Sequence, residues 1–110
     1  MRTLTQLQLD ELIEQHELTW DPPDVIDGEI MPLRGKRLTL DQYDLSSLLF
    51  SNRDLRSCRL VDCNLSNADF SNSNISHAEF MRSDLRGANM NVVADSGTDY
   101  TGCIRDIANT

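Results

Sequence analysis

The sequence predicts a solenoid, and three regularities predict it. A large apolar residue recurs every five positions without a break, at Leu40, Leu45, Phe50, Leu55, Leu60, Leu65, Phe70, Ile75, Phe80, Leu85 and Met90. Two residues before these stand Leu38, Tyr43, Leu48 and Arg53, and then only small side chains: Cys58, Cys63, Ala68, Ser73, Ala78, Ser83 and Ala88. One residue before comes Asp or Asn in most units, as at Asp44, Asp54, Asn64, Asp69, Asn74, Asp84 and Asn89. A period of five suits neither an amphipathic helix nor an ordinary strand, so the repeat outranks local propensity.

Residues 1–35 precede the array and differ from it in pattern. Thr5 caps a helix expected to run to about Leu18, with Gln8 as its capping-box partner and Asp10 and Glu11 near the positive end of the dipole. Leu4, Leu7, Leu12, Ile13 and His16 fall roughly on one face. So short a helix is marginal alone, and that face must be buried against something. The next stretch, "TWDPPDVIDGEIMPLRG", holds all three prolines and two of the five glycines. It reads as an extended connector anchored by Trp20, Val25, Ile26, Ile30 and Leu33. Helix and connector together are expected to cap one end of the solenoid.

Residues 36–102 form the array. A chain that turns a corner every five residues points one bulky and one small side chain at its axis on each side, and successive turns stack at about the 4.8 Å ladder spacing. "ADFSN", "SDLRG" and "ANMNV" closely resemble the pentapeptide-repeat family. The resemblance implies an all-β solenoid, a right-handed quadrilateral β-helix with one pentapeptide per side and four per coil. About three coils are expected. Twenty residues per coil would put Asp95 and Arg105 in apolar columns, where an unpaired charge is costly, so the helix is expected to fray near Val93, with Thr98, Asp99 and Tyr100 recovering one regular unit. Residues 103–110 remain as a tail whose Ile104 and Ile107 would cover the second end or form a homodimer contact.

Catalysis finds little support. His16 lies in the helix and His77 on an outward position, and the serines and aspartates fill roles the repeat already explains. Cys58, Cys63 and Cys103 occupy the small inward position as compact fillers and have no zinc-ligand spacing. The acids of "DPPDVIDGE" lack the alternation of an EF-hand loop. No metal or other cofactor is expected. An odd cysteine count without paired spacing, and no apolar stretch long enough for a signal peptide or membrane span, point to the cytoplasm. Arg53 breaks the small-residue rule, and either it meets an acid of the cap such as Glu14 or Glu17 or the corner is distorted there.

Charge is distributed unevenly. Residues 1–35 carry eight acids against two arginines, net −6, whereas residues 36–92 are neutral. An acidic surface of this kind favours a basic protein partner over nucleic acid or an anionic membrane. The expected function is a non-enzymatic binding module that occupies a partner's surface, a mode that would serve an inhibitor. Its candidate contacts are Glu14, Glu17, Asp21, Asp24 and Asp27 of the acidic segment. On one coil face they are Val61 and Met81, outward residues that either form an exposed contact or lie under the N-terminal connector, flanked by Arg59, Glu79 and Arg82. The family resemblance implies an alternative, a DNA mimic that inhibits or protects DNA gyrase or another nucleic-acid-handling complex. Arg56, Arg59, Arg82 and Arg86 dilute the negative faces such a mimic requires.

Overall fold

A computed structural model describes residues 1–18 and 36–105, together with the backbone of residues 25–26 and 29–30. The Thr5 capping box forms as its sequence predicts: Gln8 N–H donates to Thr5 Oγ1 at 3.1 Å, and Thr5 N–H to Gln8 Oε1 at 2.9 Å. It opens helix α1 (Gln6–Leu18), preceded by the short strand β1 (Arg2–Thr3). Asp10 and Glu11 lie beyond the first turn, outside the reach expected of dipole compensation. Within residues 19–35, β2 (Val25–Ile26) pairs antiparallel with β3 (Glu29–Ile30). The intervening Asp27-Gly28 is a hairpin signal that a reading as plain connector overlooks.

The array then closes on itself at a fixed interval. β4 (Thr39–Asp41) pairs in parallel with β6 (Arg59–Val61), while β5 (Tyr43–Asp44) pairs with β1. Parallel bridges with the same 20-residue offset continue through Asp44 and Asn64, Asp54 and Asn74, Glu79 and Asp99, and on to Asp84 and Ile104. A 20-residue offset in a five-residue repeat means four sides per turn, so the fold is a β-helical solenoid.

Each corner has the same local chemistry. The second residue after the inward apolar one is left-handed, with φ near 60° from Gln42 to Arg82, and glycine takes the place at Gly87, Gly97 and Gly102. Its N–H reaches the next coil, as from Ser47 to Ser66 O at 2.9 Å and from Asn67 to Arg86 O at 2.9 Å. Many corners close with a turn bond such as Ala68 N–H to Leu65 O at 3.1 Å. The Asp or Asn before the apolar residue caps that turn: Asp69 Oδ1 accepts from Ser71 N–H at 2.9 Å, and Asn64 Oδ1 from Ser66 N–H at 3.0 Å. This is the local bond for which Asx side chains are favoured in turns.

The inward residues form the core. Leu45, Phe50, Leu55, Leu60, Leu65, Phe70, Ile75, Phe80 and Leu85 are buried, with the small Cys58, Ala68 and Ala78 beside them. Phe50 and Phe70 stack at 4.6 Å between ring centres, and Phe70 meets Phe80 edge-on at 5.5 Å. Buried hydroxyls at the small position find backbone partners. Ser83 Oγ donates to Leu60 O at 2.8 Å and accepts from Cys63 N–H at 3.0 Å, and Ser73 Oγ likewise joins Phe50 O to Arg53 N–H.

Two expectations are corrected and one open reading is decided. The ladder does not fray at Val93: it continues through Ala94, Asp99 and Ile104. What changes is one corner, because Val92 stands where the left-handed residue belongs and does not adopt positive φ. A β-branched side chain disfavours that conformation, and Val92 instead packs against the core. The inward positions of Asp95 and Arg105 are accommodated because they lie on the last described coil, where the core gives way to an open cavity lined by Leu85, Met90, Asp95, Tyr100 and Arg105. There the Arg105 guanidinium lies 3.6 Å from the centre of the Tyr100 ring. Second, Ile13 and His16 are buried as expected but with Leu9 beside them, whereas Leu7 faces solvent and Leu12, 36% exposed, lies at the edge of the face near Leu38 and Leu40. Third, Val61 is 1% exposed, so of the two readings for this face, accessible or covered, Val61 takes the covered one.

Candidate functional site

The first coil has an N-terminal edge of backbone groups that a solenoid must satisfy or leave to water. Four different devices meet it. β1 pairs with β5 on one side, and Arg2 N–H also donates to Gln42 O at 3.3 Å. On the next side the Gln6 amide takes the place of a peptide group: Leu49 N–H donates to Gln6 Oε1 at 2.8 Å, and Gln6 Nε2 donates to Leu49 O at 2.9 Å. On the third, Glu17 Oε2 accepts from Asp54 N–H at 3.2 Å. On the fourth, Arg59 N–H donates to Leu38 O at 2.9 Å within the array itself.

Arg53 meets Glu17 as its sequence position suggests. Its guanidinium lies 2.9 Å from Glu17 Oε1 and 3.8 Å from Asp10 Oδ1. Leu9 and Ile13 enter the same apolar cluster as Leu45 and Phe50. His16 is fully buried, with both ring nitrogens engaged: Leu38 N–H donates to Nδ1 at 2.8 Å, and Nε2 lies 2.9 Å from Arg56 O. Burial lowers the His16 pKa below its ordinary value, against the opposing effects of the Arg56 carbonyl and the nearby Asp54. Gln6 was not singled out as a contact by the sequence, whereas His16 stands on the face expected to be buried, though without its hydrogen-bonding role. The spacing of Leu9, Ile13 and His16 at i, i+4 and i+7 carries the signal for His16.

The opposite side of α1 faces away from the coil. Leu7 is 69% exposed, and Glu11, Leu12 and Glu14 are exposed with it. A shallow groove along this face is lined by Leu4, Gln8, Glu11, Leu12, Glu14 and Gln15. Of the acidic candidates, Glu14 belongs here, Glu17 is engaged with Arg53, and Asp21, Asp24 and Asp27 lie outside the described residues.

The coil-face candidates assemble differently. Arg59 lies between Asp41, at 4.0 Å, and Glu79, at 3.5 Å, and Glu79 also meets Arg37 at 3.3 Å. Arg82 pairs with Asp62 through two bonds of 2.8 and 3.0 Å. The same pairing recurs elsewhere as Asp54 with Arg56 and Asp84 with Arg86. The Arg82 hydrogen bond holds the Asp62 carboxyl below the usual range, and that of Arg86 does so for Asp84. Met81 is half-buried and Val61 is covered. This face is a ladder of compensated charge, without the apolar pair the sequence suggested.

The cysteines are fillers. Burial pushes the Cys58 thiol up to about 12, and it raises those of Cys63 and Cys103 as well, which keeps them from being ready nucleophiles. Cys103 Sγ lies 2.8 Å from Phe80 O, in the place where Ser83 bonds Leu60 O one coil earlier. Among the described residues no group of three or more His, Cys, Asp or Glu is arranged to hold a metal ion. Among them, too, no helix is long and apolar enough to cross a membrane.

Residues 50–91 match the family model of pentapeptide repeats, in eight copies. Over that stretch the chain is a pentapeptide-repeat array. A crystal structure of a pentapeptide repeat protein (Rfr23) from the cyanobacterium Cyanothece 51142 is similar at 26% identity with a TM-score of 0.43. The similarity covers 64% of this chain and 58% of that one, so this chain spans less than two thirds of that protein's length. No curated protein matches the chain.

Proposed function

We propose that this pentapeptide-repeat chain is a non-enzymatic binding protein that occupies a basic surface of a protein partner through the outward face of α1. The observation that carries this reading is the exposure of Leu7 and Leu12 beside Glu11 and Glu14, on a helix whose other side is committed to the solenoid. Apolar residues rimmed by charge of one sign suit a contact in which burial gives affinity and charge gives orientation and on-rate. Asp21, Asp24 and Asp27 extend the same acidic segment in sequence. By occupying such a surface the chain would act as an inhibitor of whatever else binds there, and its free thiols fit a cytoplasmic setting.

The DNA-mimic alternative draws less support. A mimic needs rows of uncompensated negative charge, and on the coils Asp54, Asp62, Asp84 and Glu79 each face an arginine. The coil-face contact loses its apolar centre with Val61 covered.

The test begins with affinity capture from the source cell and mass spectrometry, and continues with the recovered partner and two double variants. Leu7→Asp with Leu12→Asp should weaken binding at least tenfold. Glu11→Gln with Glu14→Gln should weaken it less and flatten its salt dependence, because screening acts on exposed charge. Binding by both variants at wild-type strength and salt dependence would overturn the reading.

A further inference from the structure

His16 is the one buried ionisable side chain joining the helix to the array among the described residues, and its hydrogen bonds fix its chemistry. Nδ1 accepts from Leu38 N–H, so it carries no proton, and Nε2 must then hold the ring proton and donate it to Arg56 O. This neutral tautomer ties three segments together: α1, the start of the array at Leu38, and the first coil at Arg56. A second proton has only Nδ1 to go to. There it would point at the Leu38 N–H, setting donor against donor in a site without water access, and a buried group left so unsatisfied is costly.

The charged groups around the ring do not relieve the conflict. From α1, Glu17 is turned to Arg53 and to Asp54 N–H. From the coil, Asp54 is held by Arg56 at 2.7 Å. From the start of the array, Arg37 adds a positive charge that opposes protonation. Asp10 faces Arg53. Among the described residues, the acids near the ring, Asp10, Glu17 and Asp54, are already engaged with arginines, and Asp54 and Glu17 offset the cost of an imidazolium only in part.

We propose that His16 is a pH-sensitive latch, holding α1 on the first coil at neutral pH and loosening it on acidification. Opening would expose Leu9 and Ile13 together with the coil residues they cover, Leu45 and Phe50. The latch rests on the geometry of the ring, and it stands whether or not the outer face of α1 binds a partner.

The direction follows from linkage. The folded-state pKa lies below the ordinary value of 6.5, so the unlatched state takes up a proton first as pH falls. Stability of the latch is full above about pH 6.5 and declines below it, until the folded-state pKa is reached. Within that window opening should become up to about tenfold more frequent per pH unit.

The test is hydrogen exchange on the full chain between pH 7.5 and 5.0, with rates corrected for intrinsic chemistry. It compares α1 amides such as Ile13 with solenoid amides such as Phe70 and Phe80. In the wild type α1 protection should fall with pH while solenoid protection holds. His16→Gln, whose amide can accept from Leu38 N–H and donate to Arg56 O without titrating, should remove that pH dependence. Parallel pH responses in wild type and variant would overturn the proposal. Should the variant not fold, ring ¹⁵N shifts of the wild type decide. An Nε2–H tautomer that resists protonation below pH 6.5 supports the latch, and an ordinary titration ends it.

Discussion

The first coil and the last described coil of the solenoid differ in what fills and borders their core. At the N-terminal rim, β1, the Gln6 amide and the Glu17 carboxylate supply partners to coil backbone, and Leu9 and Ile13 close the apolar column. At the last described coil the inward positions change character. Leu85 is buried, but Met90 and Tyr100 are half-buried and Asp95 is exposed, with Arg105 over the Tyr100 ring. The first coil is closed by an added element, whereas among the described residues the last coil carries polar and amphipathic side chains at its inward positions. A repeat propagates wherever the corner chemistry permits, but its ends depend on residues outside the repeat rule.

The largest expected effect comes from removing the closing element. Deleting residues 1–18 strips the cover from Leu45, Phe50 and Leu55 and should yield an aggregating species. A monomeric deletion variant with an unchanged β signature in circular dichroism would erase the distinction between the two coils. Next, Phe70→Ala in the middle of the stack should cost roughly 3 to 5 kcal/mol in urea unfolding, since rigid neighbouring coils do not collapse into the cavity. Tyr100→Ala on the last described coil, where the ring is half-buried, should cost less than half as much, and equal losses would show that this coil is as tightly packed as the middle.

Smaller effects test the corners and the latch surface. Gly97 has φ of 72°, and a Cβ there would come within 2.6 Å of His77 Nδ1. Gly97→Ala should therefore cost about 1 to 2 kcal/mol. Combining it with His77→Ala should recover the steric part alone, which a double-mutant cycle measures. Glu17→Gln keeps an acceptor for Asp54 N–H but loses the ion pair with the partly exposed Arg53, so about 0.5 to 1 kcal/mol is expected. Ser71→Ala, on an outward spacer, should stay within about 0.5 kcal/mol of neutral.

Much of the solenoid is legible because its rule is local. A bulky residue every fifth place, a small one two before it and an Asx one before it are all required by a single corner. Each repetition restates that requirement. The left-handed second spacer was also written in the sequence, in Asn52, Asn67, Asn72, Gly87, Gly97 and Gly102, although attention to the apolar period hides it. The helix phase was less legible. Leu7 and Leu12 are as apolar as Leu9 and Ile13, and a short helix offers several plausible faces until something packs against one.

By itself the sequence determined the repeat, its 20-residue turn once four sides are granted, and the capped helix, and it left Arg53 between a partnership with the acidic segment and a distorted corner. Only the tertiary structure decided that Val61 is covered, that α1 turns Leu9, Ile13 and His16 inward, and that the ladder passes Val92 at the loss of one regular corner. It also decided that the coil-face charges cancel in pairs. The physical reason is one of range. Corner geometry follows from neighbours within five residues, which the chain order specifies directly. Burial of an outward residue, the choice of a helix face and the pairing of side chains 20 or more residues apart depend on which surfaces meet, and those are fixed only when the coils stack.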